Sequence, residues 1–302
     1  MTQGFLFDSE LLVSLGAGIN LKPQHYEDAL AEHNSMSSER LWFEVHTENY
    51  FVDGGPRLSY LRAIADTFPL SFHGVGGSLG SYSNSPSSLT QTHLQQVSAL
   101  VKAFDPILVS EHATWSSSQN TYFADLLPLP RTQAALTTLC NGIDHYQTAI
   151  GRPILIENPT NYLDFVAEMD EADFLMEAIK RTGAGLLLDV NNLYLSSQNT
   201  GIDPLQYLDG LDPNVVGEIH IAGFAVDEKF PDTLLIDSHG APVDEAVWQL
   251  LKIALDKLGP KPILLERDDN IPDYQTLLAE RNRAQTILDN NALQGNRQVA
   301  TS

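Results

Sequence analysis

Eight short apolar runs, each trailed by a polar loop and then a stretch with helical spacing, limit what this chain can become more than any other feature. The runs are LGAGINL (15–21), LWFEVH (41–46), PLSFHGV (69–75), PILVSEH (106–112), RPILIEN (152–158), AGLLLDV (184–190), VVGEIHI (215–221) and KPILLER (261–267). Most are rich in Val, Ile and Leu and alternate little, the pattern of parallel strands covered on both faces. Between them, Leu94, Val97, Leu100 and Val101 keep a three-and-four rhythm, as do Phe174, Leu175 and Ile179, and Val247, Leu250, Leu251, Ala254 and Leu258. Strand alternating with helix means crossover units and a parallel sheet. Eight units suit a closed (β/α)8 TIM barrel, an α/β fold, better than an open doubly wound sheet. No Gly-x-Gly-x-x-Gly follows the first run to argue for dinucleotide binding. No linker or charge block divides the chain, which reads as one barrel domain over 1–289 and a polar, disordered tail over 290–302.

Composition narrows the function. The 302 residues hold 17 Lys+Arg against 39 Asp+Glu, a formal net charge of −22. Nucleic acids and anionic membranes demand a basic footprint, so neither is the expected partner. A single cysteine, Cys140, excludes internal disulfides and a cysteine-rich zinc module. No apolar run approaches the ~20 residues of a membrane span. The opening MTQGFLFDSELLVSLG lacks the basic start of a signal peptide, so the expected location is the cytoplasm.

The apolar runs end on chemistry. His46, His73, Glu111-His112, Glu157-Asn158, Asp189, His220 and Glu266 stand at or near their last positions. In a parallel barrel those ends converge on one rim, the face where such enzymes build their sites. One strand-end histidine is ordinarily a hydrogen-bonded structural residue. Seven strand ends carrying ligand-type side chains point instead to a metal cluster, because buried carboxylates and imidazoles are costly unless paired or metal-bound. The mixed nitrogen and oxygen set suits iron, zinc or manganese. Residues two apart on a strand share a face, so Glu44, His46 and Glu48 point one way and Glu218 and His220 do likewise. Glu111 and His112 cannot both point inward on a regular strand. After the seventh run, LLIDSHGAPV places Asp237 and His239 as an Asp-x-His pair on a loop above the rim.

Other features take plainer readings. His25, His33, His93 and His145 are assigned solvated or capping roles. The glycines of HGVGGSLGS permit a tight loop beside the rim; no Lys-Ser/Thr follows to make a phosphate cradle. Cys140 lies in a helical stretch away from the rim, and no Gly-x-Ser-x-Gly elbow supports a serine nucleophile.

The strings WFEVHTENY, LSFHGVGGSLGS, LVSEHATWS, ILIENPTNY, LLLDVNNLY, GEIHIAGF and LLIDSHGAPV together resemble the DUF692 (UPF0276) family of multinuclear non-haem iron-dependent oxidative enzymes, relatives of the methanobactin biosynthesis oxidase. The resemblance spans roughly 14–285 with the motifs in the family's order. It implies a TIM barrel with two or three iron ions, dioxygen as co-substrate, and a Cys-containing ribosomal precursor peptide as substrate. It also implies a separate protein that captures the peptide leader. Carried over position by position, it implies His73, His112, Glu157, Asp189, His220, Asp237, His239 and Glu266 as metal ligands. Glu157 would bridge or stabilise the ions. His46, Glu48 and Asn49 fall in the substrate-facing part of the rim, with His46 joining Glu157 in catalysis. Asn192 and Asn158 are weak ligands, substrate contacts or groups orienting the ligands. The constellation is also similar to the trinuclear-zinc endonuclease IV barrel, but Asn192 stands where that enzyme has histidine, which argues against three zinc ions. Arg267 replaces an expected Trp, and Asp268-Asp269-Asn270 replaces Asp-Asn-Asp. The competing reading is a metal-dependent hydrolase or isomerase on the same barrel, in which a metal ion makes hydroxide or polarises a carbonyl. A non-catalytic binding module is the third.

Overall fold

The computed structural model describes residues 14–32, 39–81, 88–118, 121–165 and 167–300. All eight apolar runs form strands: β1 (Ala17–Asn20), β2 (Phe43–His46), β3 (Leu70–Gly74), β4 (Leu108–His112), β7 (Leu155–Glu157), β8 (Gly185–Asp189), β9 (Val216–Ile221) and β12 (Ile263–Leu265). They close into one parallel barrel in the order β1-β12-β9-β8-β7-β4-β3-β2. The three periodic stripes lie in the helices Ser88–Phe104, Glu171–Thr182 and Glu245–Leu258, which cover the barrel.

Two hairpins were not anticipated from the sequence. One pairs β5 (Trp115–Ser118) with β6 (Thr121–Leu127), the other β10 (Ala225–Val226) with β11 (Leu235–Ile236). Most of β6 is exposed, so no buried face imposes a readable period on it. The helix Tyr274–Ala300 extends from the barrel into the polar stretch that begins at residue 290. No proline interrupts that stretch, and its Ala, Leu, Gln and Arg are good helix formers.

The strand pleat sorts side chains between two environments. Ile19, Phe43, Val45, Phe72, Val109, Ile156, Leu188 and Ile219 face outward into the core shared with the helices. The inward positions form a separate cluster at the bottom, where Leu15, Trp42, Leu108, Leu155, Leu187 and Leu264 fill the barrel with hydrocarbon. On the opposite wall a polar arc replaces it. Asn20, Glu44 and Ser71 lie side by side in the strand register, all 1% exposed or less. Glu218 on β9 belongs to the same buried polar set. Two residues further along the strands comes the rim.

Candidate metal centre

Strand register alone brings most of the expected ligands together. His46 is the cross-strand partner of His73, His112 of Glu157, and Asp189 of His220. His73 Nε2 and His112 Nε2 each lie 3.2 Å from Glu157 Oε2. His220 Nδ1 is 3.3 Å from Glu266 Oε2, and His239 Nε2 is 2.6 Å from Asp237 Oδ1. Ligand atoms within 4.8 Å of one another form several groups, among them His73, His112 and Glu157; Glu157, Asp189 and His220; and His46, Glu266 and Asp268. Glu157 is common to the first two.

These atoms fit metal ions. Bonds of about 2.0–2.2 Å place neighbouring ligand atoms roughly 3.0–3.5 Å apart, the spacing seen around Glu157. Glu157 Oε2, Asp189 Oδ2 and His220 Nδ1 are buried without a hydrogen-bond partner. Such groups are costly unless something else takes their lone pairs. Electrostatics agree. Burial and the charges of Glu157 and Asp237 push Asp189 well above the usual carboxyl range. Burial lifts Glu157 to about 7 even against His112 and His220. His112, despite its burial, is raised to about 10, chiefly by the Glu157 charge. Acids and imidazoles here share too few protons, and cations would relieve them.

Several of the expected ligands are also held from behind. His73 Nδ1 meets Ser110 Oγ at 2.7 Å, and His112 Nδ1 meets the Gly74 carbonyl at 3.1 Å, so Nε2 of each ring faces Glu157. Asp189 caps the helix Val190–Thr200 by accepting from Asn192 N with Oδ1, which leaves Oδ2 free. Asn192 donates to Glu157 Oε1 at 3.1 Å. Asn158 exchanges two hydrogen bonds with the Asp189 backbone, tying the ends of β7 and β8. His239 takes a left-handed φ of 48°, a strained conformation for a non-glycine residue at the loop that carries the Asp-x-His pair.

Several sequence readings change. Glu48 does not face the mouth. β2 ends at His46 and a 3-10 turn follows, so the two-residue period no longer applies. Glu48 turns behind the glycine loop, accepts from Val75 N and Gly76 N, and meets His93 Nε2 at 2.7 Å. His93 is therefore a partly buried ion-pair partner rather than a solvated residue. Glu111 accepts from Gly77 N on the same outer side, while its neighbour His112 faces Glu157, as the parity argument requires. A Cβ on Gly77 would sit 2.3 Å from Glu111 Oε2, so the loop needs glycine for this close approach. Asn49 is exposed, and its carbonyl accepts from Arg57. His25 is buried with Nε2 2.9 Å from the Pro272 carbonyl, not solvated; His33 lies outside the described residues. Cys140 is buried in the helix Gln133–Ile150.

The sequence reading gave Asp268 no role, yet its Oδ2 is 2.9 Å from His239 Nδ1 and its Oδ1 is 3.7 Å from His46 Nε2. His239 holds its carboxyl far below the usual range against the effect of burial. Its position in the unusual string after β12 was the available signal. Above the rim, a pocket of about 330 Å³ opens over His112, Asn192 and Asp237, walled by Tyr122, Leu126, Pro159 and Tyr162.

Comparison with known proteins follows the same lines. The family model described as "RiPP precursor modification enzyme MbnB/TglH/ChrH" matches residues 16–289. A UPF0276 protein of Caulobacter vibrioides (strain NA1000 / CB15N) is 49% identical over 273 residues, which cover 90% of this chain and 94% of that protein. A UPF0276 protein of Chromobacterium violaceum is 42% identical over 272 residues, 90% and 94% of the two chains. Among solved structures, endonuclease IV from Thermus thermophilus superposes with a TM-score of 0.58 at 15% identity, covering 91% of this chain and 99% of that one. D-psicose 3-epimerase from Clostridium cellulolyticum gives 0.59 at 9% identity, covering 92% and 99%. At such identities the likeness is one of fold.

Proposed function

Because this chain belongs to the RiPP precursor modification enzyme family MbnB/TglH/ChrH, we propose that it is a multinuclear iron-dependent enzyme that uses dioxygen to modify cysteine residues of a ribosomally made precursor peptide. The observation that carries the reading is the convergence on one rim of imidazoles and carboxylates whose buried donor atoms have no partner. His73, His112 and Glu157 would hold one ion, and Glu157, Asp189 and His220 a second. Asp237, His239 and Glu266 complete the set. Bound iron supplies the redox chemistry with dioxygen and a Lewis acid able to take a cysteine thiolate.

The chain's own residues supply the rest. Glu157, with one oxygen held by Asn192 and the other facing two imidazoles, would offer its negative charge to bound cations. His46 is partly exposed, with Nε2 3.8 Å from Glu266 Oε1, and can accept or return a proton at the mouth. The apolar walls Tyr122, Leu126, Pro159 and Tyr162 can shield a cysteine side chain from water. The net charge of −22 favours a basic leader or a leader-holding partner protein.

The test is iron content and dioxygen consumption with a Cys-containing peptide encoded beside this chain's gene. Wild-type protein is expected to carry iron and consume dioxygen only with peptide. His73→Ala and His112→Ala are expected to lose iron and turnover together. Full turnover in an iron-free double variant overturns the reading. A colourless zinc protein that hydrolyses phosphodiesters would move it to the hydrolase class.

A further inference from the structure

The rim histidines follow a pattern with one exception. His73, His112 and His239 each have Nδ1 engaged, by Ser110, Gly74 and Asp268, and each turns Nε2 to the rim carboxylates. His220 is reversed. Its Nδ1 lies 3.3 Å from Glu266 Oε2, and its Nε2 points down the barrel, 3.4 Å from both Glu44 Oε1 and Glu218 Oε1. Ser71 Oγ donates to Glu44 Oε2 at 2.7 Å, which fixes that carboxylate and leaves Oε1 for the ring. Glu44 Oε1, both Glu218 oxygens and His220 Nε2 make no hydrogen bond among the described residues, so the 3.4 Å approach of ring and carboxylates is the nearest polar meeting any of them has. Among those residues, His220 is also the only basic group within ion-pair distance of either carboxylate. Two carboxylates at 0% exposure around one ring nitrogen have no evident structural use, because hydrocarbon would fill the same space at lower cost.

We propose that Glu44 and Glu218 are positioning residues for the rim: they take the Nε2 proton of His220 and so fix the tautomer in which Nδ1 is the metal-binding atom. A metal-bound histidine commonly donates its other ring N–H to a carboxylate, which sets ring orientation and strengthens the donor nitrogen. Here the acceptors come from β2 and β9, on either side of the neighbouring pair β1 and β12, so the ring is braced across the barrel. The inference rests on the rim being a metal site.

Zn2+ alone serves as the probe, since it is diamagnetic and takes the same ligands. In wild-type protein labelled with 15N-histidine, ring-nitrogen NMR is expected to show His220, assigned through His220→Gln, with a protonated Nε2 and a zinc-bound Nδ1. A zinc-bound Nε2 overturns the proposal without any variant having to fold. Glu44→Ala and Glu218→Ala are expected to weaken Zn2+ binding by about 10- to 100-fold. Glu44→Gln and Glu218→Gln, which keep an acceptor oxygen, are expected to recover part of that loss. A purely structural role would lower the melting temperature of the metal-free protein and leave the Zn2+ dissociation constant within about twofold, far below the loss expected of an orienting partner, which also overturns the proposal. Failure of the rim reading is distinct: Zn2+ binding would then be absent from wild type or indifferent to His73→Ala and His112→Ala, and both assignments would fall.

Discussion

At the scale of single residues, the rim depends on what stands behind each proposed ligand. Ser110 is buried and its hydroxyl engages His73 Nδ1. Ser110→Ala should cost only about 1 kcal/mol of stability but should weaken metal binding roughly tenfold or more. Chelator competition measures the second quantity, and unchanged affinity would show that His73 is oriented by packing alone. The Glu48–His93 pair gives a pH signature. Burial opposes both charges, but their hydrogen bond and attraction prevail, lowering Glu48 and raising His93. The His93 contribution is complete below about 6.5 and fades as pH climbs through its raised value. The Glu48 contribution is present above the ordinary carboxyl range and fades as pH falls through its lowered value. His93→Gln should therefore cost most, about 1–2 kcal/mol, near pH 5–6 and least in alkali. Melting curves of both proteins from about pH 3 to about pH 9 would decide it, and a pH-independent gap would refute the pairing. Glu48 and His93 were misread because one lies just beyond a strand and the other on a helix, where neither period says what a side chain meets.

At the scale of elements, strand ends were the most legible part. His73, His112, Glu157, Asp189 and His220 end or nearly end strands whose parallel order makes those ends neighbours. A list of apolar runs with their last polar residue thus approximates the rim. Glu44 and Glu218 could be placed by parity on the faces of His46 and His220, but their partnership across the barrel depends on strand order and shear, which no local pattern encodes. The β5–β6 hairpin was illegible for the opposite reason, since it buries little. Helix packing makes its own demand at Gly142. A Cβ there would fall 2.1 Å from the Leu79 carbonyl, a backbone atom that cannot swing aside. Gly142→Ala should destabilise the protein by about 1–3 kcal/mol, despite the better helix propensity of alanine. A melting temperature equal to or above wild type would show that the helix can shift outward without loss.

For the whole molecule, metal and fold should be linked. Ions that bind only the folded chain add about 4 kcal/mol at a thousandfold excess over the dissociation constant, which for a chain of this size is roughly 5–10 °C. Calorimetry with and without a strong chelator measures this, and identical transitions would argue that the rim carboxylates are satisfied by protons alone. The bottom of the barrel sets a further condition. Trp42, Leu108, Leu155, Leu187 and Leu264 stop it with hydrocarbon, so the molecule is a cup rather than a tube. Whatever reacts at the brim must leave by the door through which it came, and a long chain can dip one bend or one end into the cup but can never be threaded through it.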